Sequence, residues 1–188
     1  VLKKYQMRKG EMDEGWAKAD VIIEGSYNLP HQEHAYLQPE AGLGYIDEKG
    51  RVTVEVGGQW AHEDRQQVAH SLGLPEEDVR IIYAAIGGAF GGKEDMSLQR
   101  VLGLAAYRLN QQGINRPVRI IWTREESILG HHKRHQAMVK TKWGATKEGK
   151  ITAVSAEGYI DSGGYAYTRT KVLGLSLIPL SEPTRLHC

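Results

Sequence analysis

Polar and apolar residues change period several times along this chain, and each change marks an element. Residues 20–29 alternate, with Val21, Ile23, Gly25 and Tyr27 on one side and Ile22, Glu24, Ser26 and Asn28 on the other. That spacing predicts a strand, imperfectly amphipathic, that Pro30 interrupts. Residues 43–47 and 51–56 flank Glu48-Lys49-Gly50 and read as a hairpin. In its second arm Val52, Val54 and Val56 share one face. A helical period follows over 61–72, with Val68, Leu72, Ala61 and the stem of Arg65 on one stripe. Gly73 caps it and Pro75 stops it. Residues 79–85 are β-rich. The strongest helical pattern runs from Asp95 to Asn110, where Leu98, Val101, Leu102, Ala105 and Leu109 form one apolar face. A strand over 116–122 leads into Thr123-Arg124-Glu125-Glu126, a capping box opening a short helix. Residues 136–146 and 151–161 form a second hairpin around Lys147-Glu148-Gly149-Lys150. A short helix over 11–19, acidic at its start, completes the set. The order predicts an α+β fold, a mixed sheet with β-hairpins and two main helices.

Composition narrows the function. Of 188 residues, 40% are hydrophobic and 25% charged, which suits a folded globular chain rather than a disordered tail. A net charge of +1 lacks the basic excess of a non-specific nucleic-acid or membrane binder. No apolar run is long enough to span a bilayer. Cys188 is the only cysteine, so the chain itself holds no disulfide, cysteine-based zinc site or iron–sulfur cluster. The start at Val1 carries neither an initiating Met nor an apolar signal core. The reading therefore expects a cytoplasmic location and a piece of a longer protein.

Glycine is in excess, 22 residues in all, and the informative cluster is Gly87-Gly88-Ala89-Phe90-Gly91-Gly92-Lys93-Glu94. Strand, glycine loop and helix N-terminus together favour a bound anion, because bare N–H groups and the helix dipole face the ligand. A nucleotide P-loop fails at its last position, where Glu94 replaces the Ser or Thr that holds magnesium. The remaining local reading is a plain glycine turn with Phe90, the only phenylalanine, buried. Two histidine groups, His31/His34 and His131/His132/His135, lack acidic or cysteine partners at zinc spacing. They are expected to be solvated or structural, and 131–135 to be a solvated basic loop.

The loop resembles the Gly-Gly-Gly-Phe-Gly-Gly-Lys-Glu segment of the molybdenum-binding subunit of the xanthine dehydrogenase and aldehyde oxidase family. Residues 32–40, Gln-Glu-His-Ala-Tyr-Leu-Gln-Pro-Glu, are similar to that family's Glu-His-Phe-Tyr-Leu-Glu segment. The spacing from Gln59 to Phe90, and the run from Arg116-Pro117-Val118-Arg119 through Arg124-Glu125-Glu126 to Arg134-His135, follow the family's order as well.

The resemblance implies a partial molybdopterin-binding domain over 25–170. The end of a preceding small α/β domain would occupy 1–24, and an atypical tail 171–188. It implies a molybdenum-pyranopterin cofactor, as molybdopterin or its dinucleotide, that oxidatively hydroxylates an electron-poor carbon of an N-heteroaromatic or aldehyde substrate. Iron–sulfur clusters and FAD would sit on partner domains or subunits, together with the remainder of the large subunit. By the same resemblance, Gln59 hydrogen-bonds an oxygen ligand of molybdenum. Gly88, Ala89, Phe90, Gly91 and Gly92 line the cofactor, with Gln59 and Phe90 as contacts rather than metal ligands. Glu94 orients the substrate, which tilts the choice towards an N-heteroaromatic. At a helix N-terminus Glu94 also has a plain structural use. Ala89 departs from the family's third glycine and would reshape the backbone approach. The family's arginine motif and general-base glutamate are not found here. Residues 172–188 do not match its continuation, which suggests a truncated or frameshifted reading frame. The isolated chain is then expected to be inactive and poorly soluble. The competing reading is a non-catalytic assembly or interaction module derived from the family.

Overall fold

The computed structural model describes Lys4, residues 6–161, Gly163 and Gly164. The expected tail 171–188 lies outside the described residues. The chain divides into two compact units, residues 33–134 and the flanking 1–32 with 135–188. Strand β1 runs through residues 24 and 25, where the sequence places a domain boundary.

The flanking unit holds helix α1 (Met12–Ala17) and strands β1 (Val21–Leu29), β6 (Gln136–Ala145) and β7 (Ile151–Asp161). They form an antiparallel sheet in the order β1-β6-β7. Its apolar side chains are poorly covered: Ile23 is 63% exposed, and Tyr27, Trp143 and Tyr159 are exposed as well. The alternation of β1 therefore does not resolve into one buried and one wet face.

The central unit holds β2 (Ala41–Ile46), β3 (Val52–Val56), α2 (Ala61–Leu72), β4 (Val79–Tyr83), α3 (Gln99–Gln111), β5 (Val118–Ile121) and α4 (Arg124–Gly130). Its sheet has the order β4-β3-β2-β5. The β2–β3 and β2–β5 pairs are antiparallel, and β3–β4 is parallel, joined through α2. The strands thus divide between two sheets rather than sharing one, and the two main helices are α2 and α3.

The core follows the valine stripe. Val52, Val68, Ala69 and Val79 form one cluster, and Val54, Val56, Leu98 and Leu102 a second. Helix α3 lies tightly on β2: a methyl on Gly44 would stand 2.4 Å from the Leu102 carbonyl oxygen, so only glycine admits this approach. The buried face of α3 is not the predicted one. Leu98, Gln99, Leu102, Gly103 and Ala106 are buried, while Val101 is 55% exposed. Helix α2 also buries Asp64, which accepts hydrogen bonds from the Tyr83 hydroxyl (2.6 Å) and from Gln99 Nε2 (2.9 Å). This carboxylate ties α2, β4 and α3 together. Burial pushes its pKa above the usual carboxylate range; the two bonds pull the other way and lose.

Candidate functional site

The site is built in the central unit from three segments: 33–40, Gly57-Gly58-Gln59, and the glycine loop after β4. Segment 33–40 forms the floor. Leu37 N donates to the Gly87 carbonyl (3.1 Å), and Gly87 N donates to Gln38 Oε1 (2.9 Å). Tyr36, only 1% exposed, donates its hydroxyl proton to Glu40 Oε1. Lys93 is buried beneath the loop. Its Nζ sits 4.5 Å from the Tyr36 ring centroid and donates to the Gln38 carbonyl (3.3 Å). Burial lowers the Lys93 pKa, with the Glu40 charge opposing and Arg124 adding to the effect. This lysine is an internal strut, buried and engaged with Tyr36 and the Gln38 carbonyl, a second reason to set the P-loop aside.

Three residues of the loop have unusual backbone. Gly88 has φ 98°, Phe90 φ 54° and Gly91 φ 83°. A left-handed phenylalanine is uncommon and strained, and strain of this kind collects at functional sites. Phe90 is also 76% exposed. The buried-plug reading of Phe90 is therefore wrong; the turn at 89–92 swings the ring outward. Ala89 is the buried member, 6% exposed, and its carbonyl accepts from Gly92 N (2.7 Å). Its methyl points into the protein and its φ is not positive, so alanine replaces glycine here without intruding on the open side of the loop.

Helix α3 begins at Gln99, four residues later than its hydrophobic period suggests. Side chains take the intervening N–H groups: Asp95 Oδ1 accepts from Met96 N (2.9 Å), and Gln99 Oε1 accepts from Ser97 N and Leu98 N (3.0 Å each). The loop therefore does not open directly onto a helix N-terminus. Glu94 lies outside the helix, and its structural use there as a dipole partner falls away. It is half-buried beside Gly91 and has no hydrogen-bond partner among the described residues.

Gln59 is fixed against the loop twice. Its backbone N donates to the Lys93 carbonyl (3.1 Å), and its Oε1 accepts from Lys93 N (3.1 Å). A backbone N–H only donates, so the amide oxygen must face it. The exposed Nε2 remains as the donor pair, with no partner among the described residues. The next residue is held as well, since Trp60 N donates to the Tyr83 hydroxyl (3.1 Å), which in turn donates to Asp64.

The histidines are where spacing misled. Glu33, His34 and His131 converge, with one ligand atom of each within 4.8 Å of the others. Glu33 is the acidic partner whose absence was inferred from sequence; it is far from His131 along the chain, so no spacing rule finds it. His131 is 3% exposed. His34 packs below Gly92, and burial together with the neighbouring histidines depresses its pKa. His132 is also pushed down by burial, opposed in part by Asp95 and by a hydrogen bond to the Gly91 backbone. The run His131-His132-Lys133 is therefore part of the floor and not a solvated loop. His31 and His135 belong to the flanking unit. The capping box that precedes these histidines is formed as expected: Glu126 N donates to Thr123 Oγ1 (3.2 Å) and Thr123 N to Glu126 Oε2 (2.8 Å).

Comparison with known proteins places the chain in one family. The molybdopterin cofactor-binding domain model matches residues 1–183. The nicotinate dehydrogenase large molybdopterin subunit of Eubacterium barkeri is 40% identical over 84% of this chain, which covers 36% of that protein. A xanthine dehydrogenase of Dictyostelium discoideum is 34% identical over 85% of the chain and 12% of its own length. Among solved structures, the aldehyde oxidoreductase of Desulfovibrio desulfuricans matches 81% of this chain and 17% of its own at a TM-score of 0.70 with 28% identity. The aldehyde oxidoreductase of Desulfovibrio gigas has the same fold at a TM-score of 0.74. The chain spans about a third or less of the length of these relatives. No helix among the described residues is long and apolar enough to cross a membrane. The chain belongs to the molybdopterin cofactor-binding domain family.

Proposed function

We propose that this chain supplies one wall of the active site of a molybdenum hydroxylase that oxidises an N-heteroaromatic substrate. The observation that carries the reading is the pair of hydrogen bonds between Gln59 and Lys93, which sets an outward amide donor beside the loop that bears Glu94. The residues fit the cofactor. Gln59 offers two N–H donors to an electronegative oxygen while adding no charge to the centre. Gly88, Phe90 and Gly91 have positive φ, Phe90 is exposed, and a methyl on Gly91 would meet nothing closer than Glu94 Oε1 at 3.9 Å.

When bound, molybdopterin supplies the two-electron redox chemistry that exchanges a carbon–hydrogen bond for a carbon–oxygen bond. This chain's residues hold and orient. Gln59 Nε2 donates to the cofactor side. The Gly88–Gly92 backbone would hold the pterin. Glu94 accepts a hydrogen bond from a ring N–H of the substrate and fixes which carbon is presented. Iron–sulfur and FAD subunits are the proposed electron acceptors, and the cytoplasm is the proposed setting, in keeping with a single cysteine.

Two variants of the holoenzyme test the reading. Gln59→Ala is expected to lower molybdenum content per folded chain. Glu94→Ala is expected to keep molybdenum but to lose roughly 10- to 100-fold in kcat/KM towards purines, which carry a ring N–H, the worth of one charge-assisted hydrogen bond. An equal loss towards a simple aldehyde would refute the role of Glu94. Unchanged molybdenum in Gln59→Ala would refute that of Gln59.

A further inference from the structure

The cluster under the loop has a chemistry that the molybdopterin site does not use. His131 Nδ1 lies 2.8 Å from the Ser127 carbonyl oxygen, a group that only accepts. Nδ1 therefore carries a proton, and Nε2 is the ring's other face. That Nε2 stands 3.2 Å from Glu33 Oε1 and 3.4 Å from His34 Nδ1. Three ligand atoms from two separate segments thus lie within 4.8 Å of one another, and with His34 in the tautomer that leaves Nδ1 bare all three face a cation; Glu33 Oε1 also accepts from Ala35 N (3.2 Å), which fixes its position. The remaining carboxylate oxygen, Glu33 Oε2, is paired with Lys133 Nζ at 2.9 Å, and that ammonium also donates to the His131 carbonyl (2.6 Å). Lys133 holds the carboxylate in place from the far side without entering the point of convergence.

We propose that Glu33, His34 and His131 form a binding site for a divalent transition-metal ion of the zinc type, separate from the molybdopterin site. Four ligands in a tetrahedron at the usual zinc–nitrogen and zinc–oxygen lengths stand about 3.3 Å apart. The two separations from His131 Nε2, 3.2 and 3.4 Å, meet that spacing, and all three atoms lie within 4.8 Å of one another. Two imidazoles and one carboxylate are a recognised zinc set with a fourth position left for water. The Nδ1–H bond to a backbone carbonyl is the outer support that orients a ligating histidine. The ion would staple segment 33–34, which opens the floor, to the residue following α4. His34 lies directly below Gly92, where its Cγ would stand 2.8 Å from an added methyl. The staple would therefore stiffen the base of the glycine loop.

The test is metal binding by the purified protein after chelation and desalting, read without reference to turnover. Co2+ is titrated first and Zn2+ added second. One Co2+ per chain, with visible ligand-field absorption that Zn2+ abolishes and a rise in melting temperature, is the expected result. Glu33→Gln and His34→Gln should each weaken Co2+ binding roughly tenfold or more. His62→Gln, on the exposed side of α2, should leave it unchanged. A molybdenum-free preparation should bind Co2+ equally, so failure of the molybdopterin reading would not mimic failure of this one. Absence of saturable Co2+ and Zn2+ binding in the wild-type protein would overturn the proposal. So would undiminished binding in both ligand variants, which would leave a proton as the cation shared by the three groups.

Discussion

Gly91 and Gly92 are neighbours in the loop, yet a methyl group at each should fail for a different reason. On Gly92 it would stand 2.8 Å from His34 Cγ, 2.9 Å from Tyr36 Cε1 and 3.0 Å from the Ala89 carbonyl oxygen. None of these is the free end of a flexible chain. Tyr36 is 1% exposed with its hydroxyl held by Glu40, and the Ala89 oxygen is backbone bonded to Gly92 itself. Gly92→Ala is therefore an overpacking substitution, costing about 1–3 kcal/mol. On Gly91 the methyl meets only Glu94 Oε1 at 3.9 Å, but φ is 83°. Gly91→Ala costs about 1–2 kcal/mol in left-handed strain and places its methyl on the proposed cofactor face. For a chain of this size each kcal/mol lowers the melting temperature by roughly 2–4 °C. Because the two ranges overlap, the deciding assay is a double-mutant cycle by thermal or denaturant unfolding. His34→Ala removes the nearest ring and should recover part of the Gly92→Ala loss, a coupling of at least ~0.5 kcal/mol. With Gly91→Ala it should show none. Additive behaviour of Gly92→Ala with His34→Ala, or a Gly92→Ala protein as stable as wild type, would refute the packing argument.

Two further outcomes follow from groups outside the loop. Burial raises the Asp64 pKa above its unfolded value, so its stabilising contribution is complete below the ordinary carboxylate pKa and is lost as pH rises through the higher folded value. Asp64→Asn keeps an oxygen for Tyr83 and Gln99 and removes the charge. It should flatten that part of the pH–stability curve and equal or exceed wild type at pH 7; a variant markedly less stable at neutral pH would contradict the assignment. Thr123→Ala removes the capping-box acceptor at the start of α4 and should cost about 1 kcal/mol, seen as earlier amide exchange over 124–131, the stretch that positions His131.

Where one short segment contained its own reasons, the sequence was legible. Helix α2 spans Ala61–Leu72 as its apolar period and Pro75 require, and Gly73 ends it at φ 69°. The capping box at Thr123 and both hairpins formed for the same reason, because turn chemistry and alternation lie within a few residues of each other. Legibility failed where distant groups decide. Asp95 and Gln99 take local N–H groups and delay α3, an outcome its hydrophobic period cannot register. Val101 fits the apolar stripe but faces solvent, because the close approach of Leu102 to Gly44 sets the rotation of α3 on the sheet. Asp64 gives no sign in the sequence of its burial, which Tyr83 and Gln99 make possible from distant segments.

The candidate site divides along the same line. The glycine loop and the Gln59 spacing were visible as motifs, since chemistry that needs backbone exposure writes itself in contiguous glycine. What made Gln59 a directed donor was not visible: its amide is oriented by Lys93 N, a bond across thirty-odd positions of chain that only the β3-to-β4 crossover closes. The floor was less visible still. Residues 33–40 carry two acids, one histidine and one tyrosine at no periodic spacing, and Glu33 and His34 come together with their partners only when the turn after α4 returns His131 and Lys133 to them. Among the described residues two non-glycines, Ala35 and Phe90, adopt positive φ, at 50° and 54°, one in the floor and one in the loop it supports. Strain at two such places is held by the bonds from Gly87 to Leu37 and Gln38 and by the turn at Ala89, so loop and floor stand as one preorganised piece. It follows that weakening the floor, without touching Gln59 or Glu94, should reach the function through the shape of the loop.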